Sequence, residues 1–327
     1  MLEAISTRGY AKDNEVDRVV SMGERLSSRV MAAFLTSIDM PAAFIPTDKL
    51  IVTDGVPSNS MPLLEPTSAR VTQTVEPLLD AGVTPVVTGF FGAGEDGQLT
   101  TFGRGGTDLT AAVMGYCLNA DEISLFKVEY TKREDGFLDK WQPGWEGVVH
   151  DADPRLTIGD LSYEAAAQLA HFGKKVLHPA TVYPAVEKGI PISVKNTMNF
   201  LNEGTRIRSE RALNEERPVL ALTKMELDKY EKTTKNQVEV DWSTSPVPRE
   251  EALLVVMVGN NVMENYRDVL KDVEGALSAA GVPFTVPETV NGSEHQLSLV
   301  VPQEQKKAAL QALHKEFFPN TLEQLDA

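Results

Sequence analysis

Val16, Val19, Val20, Leu26, Val30, Ala33 and Phe34 recur at helical spacing. They predict a long helix capped at Asp13 or Asn14, with Glu24 on its polar side. A helical pattern near residues 68–81 is followed by Thr84-Pro-Val-Val-Thr-Gly-Phe-Phe91, which reads as a buried strand. Gly92 to Gly97 then make a loop and Gln98 to Phe102 a short strand. The turn Gly103-Arg-Gly-Gly-Thr-Asp108 leads into a helix marked by Leu109, Ala112, Val113 and Tyr116, with Thr107 and Asp108 where an N-cap belongs. Ile123 to Val128 is a further buried strand. Ser162 caps a helix that runs to His171 and stops at Gly173; Pro179 opens the next, Gly189 ends it, and Ile190 to Lys195 form another strand. Strands alternating with helices predict a three-layer α/β fold with a mainly parallel sheet covered on both faces.

The pattern changes near residue 208. From Ser209 to Glu251 the chain is polar and rich in Lys, Glu and Thr, which reads as a linker with a reduced structural segment. A second compact unit follows: strand Leu253–Val258, a helix near 264–280, strands Pro283–Val286 and Gln296–Val301, and a helix at 303–317. That order is one strand short of a ferredoxin-like lobe, and Val219–Leu222 is the candidate for the missing strand. The predicted domains are thus 1–208, a linker at 209–250, and 251–327.

A chain of 327 residues accommodates two cores. Its net charge of −16 argues against nonspecific nucleic-acid binding and against docking on anionic membranes, so anionic substrates must be held by a few local cations. The single cysteine, Cys117, forms no intramolecular disulfide, which suits a reducing compartment, cytoplasm or plastid. No apolar run approaches spanning length, and residues 1–20 lack the zones of a signal peptide.

Gly105 and Gly106 remove side chains that would keep backbone N–H groups away from an anion, and a helix N-terminus adds the positive end of its dipole. Alone, such a turn is more often a tight strand-to-helix connection. His171-Phe-Gly-Lys-Lys-Val-Leu-His-Pro179, about seventy residues later, adds a second glycine-bearing basic segment, and together the two suggest phosphoryl transfer.

These segments occur in a familiar order. Val87-Thr-Gly-Phe-Phe-Gly92, Thr100 to Asp108, Ala152-Asp-Pro-Arg155, Phe172 to Pro179 and Val194-Lys-Asn-Thr197, together with Met22-Gly-Glu-Arg-Leu-Ser27, resemble the ordered motifs of aspartate kinases over residues 2–208. Val258-Gly-Asn-Asn-Val262 and Leu313 to Phe318 resemble an ACT domain, the small-molecule sensor attached to these kinases. The resemblance implies ATP-dependent phosphorylation of the L-aspartate side-chain carboxylate, the first step toward lysine, threonine and methionine, with Mg2+ carried by ATP. A carboxylate is already a nucleophile at neutral pH, so the site must chiefly hold two anions in line.

By the same resemblance Arg104 pairs with the substrate α-carboxylate, Glu24 receives the α-ammonium group, Phe90 and Thr107 lie against the substrate, and Asp108 orients the turn. Lys175 and Val176 contact nucleotide, as do Asp153, Arg155 and Lys127. Without it, Glu24 is a solvated helix-face carboxylate, Arg155 a surface ion-pair residue, Lys174 a surface cation and His178 a structural histidine.

The sequence departs from the family in three places. The strand and Lys-Phe-Gly-Gly-Thr-Ser loop with which such kinases begin are absent, so the 327-residue chain is expected to turn over little by itself. An insertion through Trp141 and Trp145 falls where adenine binds, and the first of the two usual ACT units is cut down. Besides an aspartate kinase lacking its N-terminal segment, the sequence admits a noncatalytic regulatory subunit that binds an amino acid through its ACT lobe, or an interaction module. Association into a homodimer or larger homo-oligomer is expected through the edge of an incomplete ACT sheet.

Overall fold

The computed structural model describes residues 2–127, 160–171, 179–197, 204–209, 221–234, 238–259, 262–287 and 296–317. The chain divides into two compact units, Met1–Ile123 with Leu177–Pro191, and Ser124–Val176 with Ile192–Ala327.

In the first unit a short helix α1 (Leu2–Arg8) precedes the long helix α2 (Asp13–Ser37). The cap of α2 is Lys12, whose N–H donates to Glu15 Oε2 at 2.8 Å, rather than Asp13 or Asn14. That hydrogen bond, helped by the neighbouring Arg8 guanidinium, holds the Glu15 carboxyl below its ordinary value. The orientation of α2 reverses the sequence expectation. Asp17, Ser21, Ser28 and Ala32 face inward, while Val16, Val19, Val20, Leu26, Val30 and Phe34 are exposed. The physical reason is Asp17, fully buried, which accepts from Ser58 N (2.8 Å), Ser58 Oγ (2.9 Å), Thr101 N (3.2 Å) and Thr101 Oγ1 (2.7 Å). A carboxylate satisfied by four donors tolerates burial and fixes which face of the helix points in.

After α2 come β1 (Ala42–Ile45), β2 (Val52–Thr53), α3 (Leu64–Thr74), α4 (Glu76–Asp80), β3 (Thr84–Val87), β4 (Phe91–Gly94), β5 (Leu99–Thr101) and α5 (Gly106–Leu118). β1 pairs with β3 and β2 with β4, both parallel, and β4 pairs antiparallel with β5. The expected single strand over 84–91 is therefore two strands serving different sheets, and β4 continues into the stretch expected as loop. The break falls at Gly89 and Phe90, where Phe90 adopts φ of 78°. Ile45, Leu50, Ile51, Val71, Val75, Phe102, Leu109, Val113 and Cys117 form the core beneath.

In the second unit β6 (Ile123–Lys127) is followed by β7 (Asp160–Ser162) and α6 (Tyr163–His171). Ser162 caps α6 as expected, its Oγ accepting from Ala165 N at 3.0 Å. Helix α7 (Pro179–Lys188) belongs to the first unit, and Gly189 leaves it at φ of 64°. There Lys188 Nζ donates to the Tyr116 carbonyl (2.7 Å), anchoring α7 on the end of α5. β8 (Ile192–Asn196) and β9 (Thr205–Arg208) complete a four-stranded sheet in the order β6-β8-β9-β7, with β7 and β9 parallel. β6 alternates rather than lying buried throughout, and Phe126 is exposed.

The rest of this unit carries β10 (Ala221–Glu226), α8 (Leu227–Thr234), β11 (Ala252–Val258), α9 (Tyr266–Ala279), β12 (Gln296–Pro302) and α10 (Lys306–Phe317). β10, β11 and β12 form an antiparallel sheet with β11 central. β10 thus supplies a strand from the polar stretch expected as linker, although it runs to Glu226, beyond the Val219–Leu222 proposed from sequence. The expected strand over 283–286 reduces to a bridge between Thr285 and Val300. Leu253, Val255, Met257, Leu297, Leu299 and Val301 pack from one sheet face against Val269, Val273 and Leu277 of α9 and Leu310 and Leu313 of α10.

Candidate active site

The candidate site grows from the turn between β5 and α5. Gly103 (φ 72°) and Gly105 (φ 75°) are both left-handed, a conformation that costs a side-chain-bearing residue about 1–2 kcal/mol. Gly105 is the N-cap of α5, so Thr107 and Asp108 stand inside the first turn rather than at the cap position expected from sequence. The reason is backbone conformation: the left-handed glycine ends the approach two residues early. Asp108 still lies at the positive end of the helix dipole, together with the first-turn N–H groups that such a helix leaves for a ligand.

Phe90 is locked beside this turn. Its N–H donates to Thr110 Oγ1 at 3.0 Å, and its carbonyl accepts from Phe102 N at 2.9 Å. A Cβ on Gly106 would lie 3.0 Å from Phe90 Cδ2 and 3.0 Å from Phe102 Cβ, and one on Gly89 would lie 2.6 Å from Thr107 Cγ2. The two glycines therefore let the 89–90 backbone and the start of α5 approach closely. Such a positive-φ phenylalanine persists only because its surroundings over-determine it.

Helix α2 brings the second charge. Thr107 Oγ1 donates to Glu24 Oε1 at 3.3 Å, joining positions 83 residues apart, and Glu24 is half-buried. Arg104 is exposed at the crest of the turn and makes no ion pair among the described residues. Glu24, Phe90, Arg104, Thr107 and Asp108 thus share the first unit, an acid and a guanidinium flanking an anion-favouring helix start.

Of the residues expected on the nucleotide side, Lys127 is described, in the second unit. Lys127 ends β6, and its carbonyl accepts from Thr197 N (2.9 Å) and Thr197 Oγ1 (3.1 Å). Asp153, Arg155, Lys175 and Val176 lie outside the described residues, as do His178 and the 129–145 insertion. Sequence reasoning passed over Asp17, Ser58, Thr101 and Thr110, which hold α2, the 58–60 loop, β5 and Phe90 in place. The available signal was the polar stripe Asp17, Ser21, Ser28 at helical spacing on the face opposite the valines.

Comparison with known proteins gives this arrangement its context. The model of the amino acid kinase family matches residues 2–132, and that of the ACT domain matches residues 255–317. Aspartokinase 1, chloroplastic, of Arabidopsis thaliana is 35% identical over 204 residues, covering 60% of this chain and 32% of the plant protein. Over that stretch the chain is similar in sequence to an aspartokinase. It spans about a third of the length of that plant relative. With the aspartokinase of Thermus thermophilus the match extends over 361 residues at 25% identity, covering 93% of this chain and 83% of the bacterial one. Among solved structures, E. coli aspartokinase III in complex with aspartate and ADP superposes with a TM-score of 0.67 at 22% identity, covering 94% of this chain and 77% of the other. Clostridium acetobutylicum aspartate kinase gives 0.68 at 19%, covering 92% and 75%. At such identities the superpositions establish the fold alone: an amino-acid-kinase-type α/β domain with an ACT lobe.

Proposed function

We propose that this chain binds L-aspartate at the β5–α5 turn and serves the ATP-dependent phosphorylation of its side-chain carboxylate, giving 4-phospho-L-aspartate and ADP. The observation that carries the reading is the Glu24–Thr107 hydrogen bond, which sets a carboxylate beside the turn that bears Arg104. A zwitterionic amino acid needs this pair of opposite charges at one end. Arg104 takes the α-carboxylate through its planar fork, Glu24 takes the α-ammonium group, and Phe90 lines the site between them.

The side-chain carboxylate is thereby left free to attack. One of its oxygens forms the new bond to the γ-phosphorus of ATP while the bond to the β,γ-bridging oxygen breaks, and ADP leaves with that electron pair. No proton has to be removed from the nucleophile, so the chain's task is positioning and charge stabilisation. The first turn of α5, ordered by Asp108, offers N–H groups to the anions. Lys127, Asp153, Arg155, Lys175 and Val176 are assigned to ATP by the resemblance of their motifs, Lys175 to the transferred charge.

Among the described residues no group of three or more His, Cys, Asp or Glu converges to hold a metal ion. Mg2+ is assigned, by the resemblance, to the phosphates of ATP, where it would neutralise charge. An amino-acid effector is assigned to the ACT-bearing unit. There Glu231, Glu239, Asp241, Trp242 and Arg249 line a cavity of about 560 Å3.

Calorimetric titration with L-aspartate isolates the first unit's role from turnover. Saturable binding to the wild-type chain, lost in Arg104→Ala while ATP binding is retained, is the expected result. Equal loss of both ligands would point to a collapsed turn, and no aspartate binding by the wild type would overturn the assignment. A coupled ADP-release assay then tests the transfer itself.

A further inference from the structure

Arg18, Arg25 and Arg29 form a stripe along α2 that the candidate active site does not use. At about 3.6 residues per turn the three positions fall within an arc of about 40°, over about 16 Å of helix. They line a cavity of about 760 Å3 between α2 and the hairpin that joins β4 to β5, with Asn14 on the helix side and the turn from Asp96 to Leu99 on the hairpin side. That volume is in the range of small-ligand sites.

The residues around the stripe run against the balance of the chain. With 47 Asp and Glu against 31 Lys and Arg, acids are the expected neighbours of an arginine, and acid–base pairs three or four residues apart stabilise a helix. Here the places at that spacing from Arg25 and Arg29 hold Ser21, Met22, Leu26, Ser28, Ala32 and Ala33, and the two arginines are themselves four residues apart. Like charges so placed destabilise a helix, and an anion between them removes the penalty.

Two of the guanidinium groups are held in place by rings. Arg25 lies over the Phe91 ring at 4.8 Å, and its Nη2 pairs with Asp48 at 2.8 Å, which leaves its other nitrogens without an acid. Arg29 lies over the Phe44 ring at 4.8 Å. Arg18 and Arg29 are exposed, and neither makes an ion pair among the described residues. Of the acids lining the cavity, Asp48 is engaged by Arg25, and Asp96 stands on the hairpin side with Oδ1 accepting from Gln98 N at 2.9 Å. Two arginine charges against one exposed acid leave the cavity positive in a chain of net charge −16. No aromatic ring is among the lining residues, so the cavity offers a flat group nothing to stack on.

We propose that this cavity is an anion site for a condensed phosphate, pyrophosphate or triphosphate, free or carried on a nucleotide, bound along Arg18, Arg25 and Arg29. The planar fork of arginine donates to two oxygens of one phosphate, and linked phosphates repeat that charge along the stripe where a single carboxylate does not. The amides of Asn14 and Gln98, which also line the cavity, add donors. The inference does not rest on the aspartate reading, because none of these residues is assigned to aspartate or to ATP there.

Calorimetric titration of the full chain with inorganic triphosphate at low salt should show saturable binding that survives Lys175→Ala, which removes the lysine assigned to ATP. Arg18→Gln combined with Arg29→Gln should weaken it about tenfold or more, with unchanged far-UV circular dichroism. Asp96→Asn, which keeps the oxygen that accepts from Gln98 N, should tighten it about threefold, a gain that misfolding does not imitate. ATP titrated into the Lys175→Ala chain tells the sources apart. ATP binding that the arginine substitutions weaken assigns the site to nucleotide phosphates, and binding of triphosphate without ATP assigns it to the free anion; the proposal holds in both cases. No triphosphate binding, binding lost in Lys175→Ala but indifferent to Arg18 and Arg29, or citrate bound as tightly as triphosphate would each overturn it.

Discussion

Asp17 grips Thr101 with both oxygens, Oδ1 accepting the hydroxyl at 2.7 Å and Oδ2 the backbone N–H at 3.2 Å, across 84 residues of chain. Ser58 completes the set on the same carboxylate. Thr101 ends β5, three residues before Arg104, so this contact sets where the glycine turn begins relative to the helix that carries Glu24. One buried carboxylate thereby aligns the two charges assigned to substrate.

Replacing Asp17 by alanine should therefore strand buried donors and lower stability by about 3 kcal/mol, read as a shift of the urea unfolding midpoint. Asp17→Asn keeps one acceptor oxygen and should cost roughly half as much. If both variants unfold like the wild type, the four hydrogen bonds are not what fixes α2.

Gly105 and Gly106 should fail differently. Gly105→Ala forces a left-handed alanine at the cap and should cost about 1–2 kcal/mol of stability while leaving Phe90 undisturbed. Gly106→Ala drives a methyl to within 3.0 Å of the Phe90 ring and 3.2 Å of its Cα, so Phe90 must move. Aspartate affinity should then fall more than stability does. The pair is separated by comparing calorimetric affinity with the unfolding midpoint for each variant.

The parts of this structure legible in the sequence are those fixed locally. The Ser162 cap, the Gly189 stop and the glycine turn into α5 follow from residue type and neighbours alone. What escaped depends on partners distant in sequence. The valines of α2 predicted the helix but also an inward apolar face, because periodicity gives a direction only if apolar means buried. Here Asp17 reverses that direction through Ser58 and Thr101, 41 and 84 residues away. The break between β3 and β4 is of the same kind. Nothing in Thr84 to Phe91 announces a phenylalanine at positive φ, which exists because Thr110 and Phe102 hold it. In the candidate site, Arg104 and Thr107 lie within a motif, whereas the contact that joins Glu24 to Thr107 does not.

Stability in the second unit should carry an alkaline limb set by Tyr163. Its side chain, at the start of α6, is buried, and burial, with the nearby Glu164 adding to it, pushes the phenol from about 10 up to about 12. The folded state thus holds its proton where the unfolded chain has lost it. The contribution is fully present below pH 10 and drains away as pH rises toward 12, by up to about 2–3 kcal/mol. Urea midpoints of wild type and Tyr163→Phe measured from pH 8.5 to 11.5 should diverge in slope above pH 10. Parallel curves would remove the phenol from the account.

The Glu24–Thr107 contact allows substrate contact and positioning to be told apart. Glu24 is assigned to the substrate ammonium group, so Glu24→Gln exchanges a charge-assisted contact for a neutral one and should weaken aspartate binding by about 2 kcal/mol, roughly thirtyfold. Thr107→Val removes a 3.3 Å hydrogen bond at an exposed site, which should cost only about 0.5 kcal/mol. If the hydroxyl acts through Glu24, its loss matters only while the charge is there to be aimed. The double variant should then bind aspartate no worse than Glu24→Gln alone, giving a coupling close to the whole of the Thr107 effect. Additive losses in calorimetric titrations would instead mean that Thr107 contacts the substrate directly, and its place would shift from positioning residue to part of the binding surface.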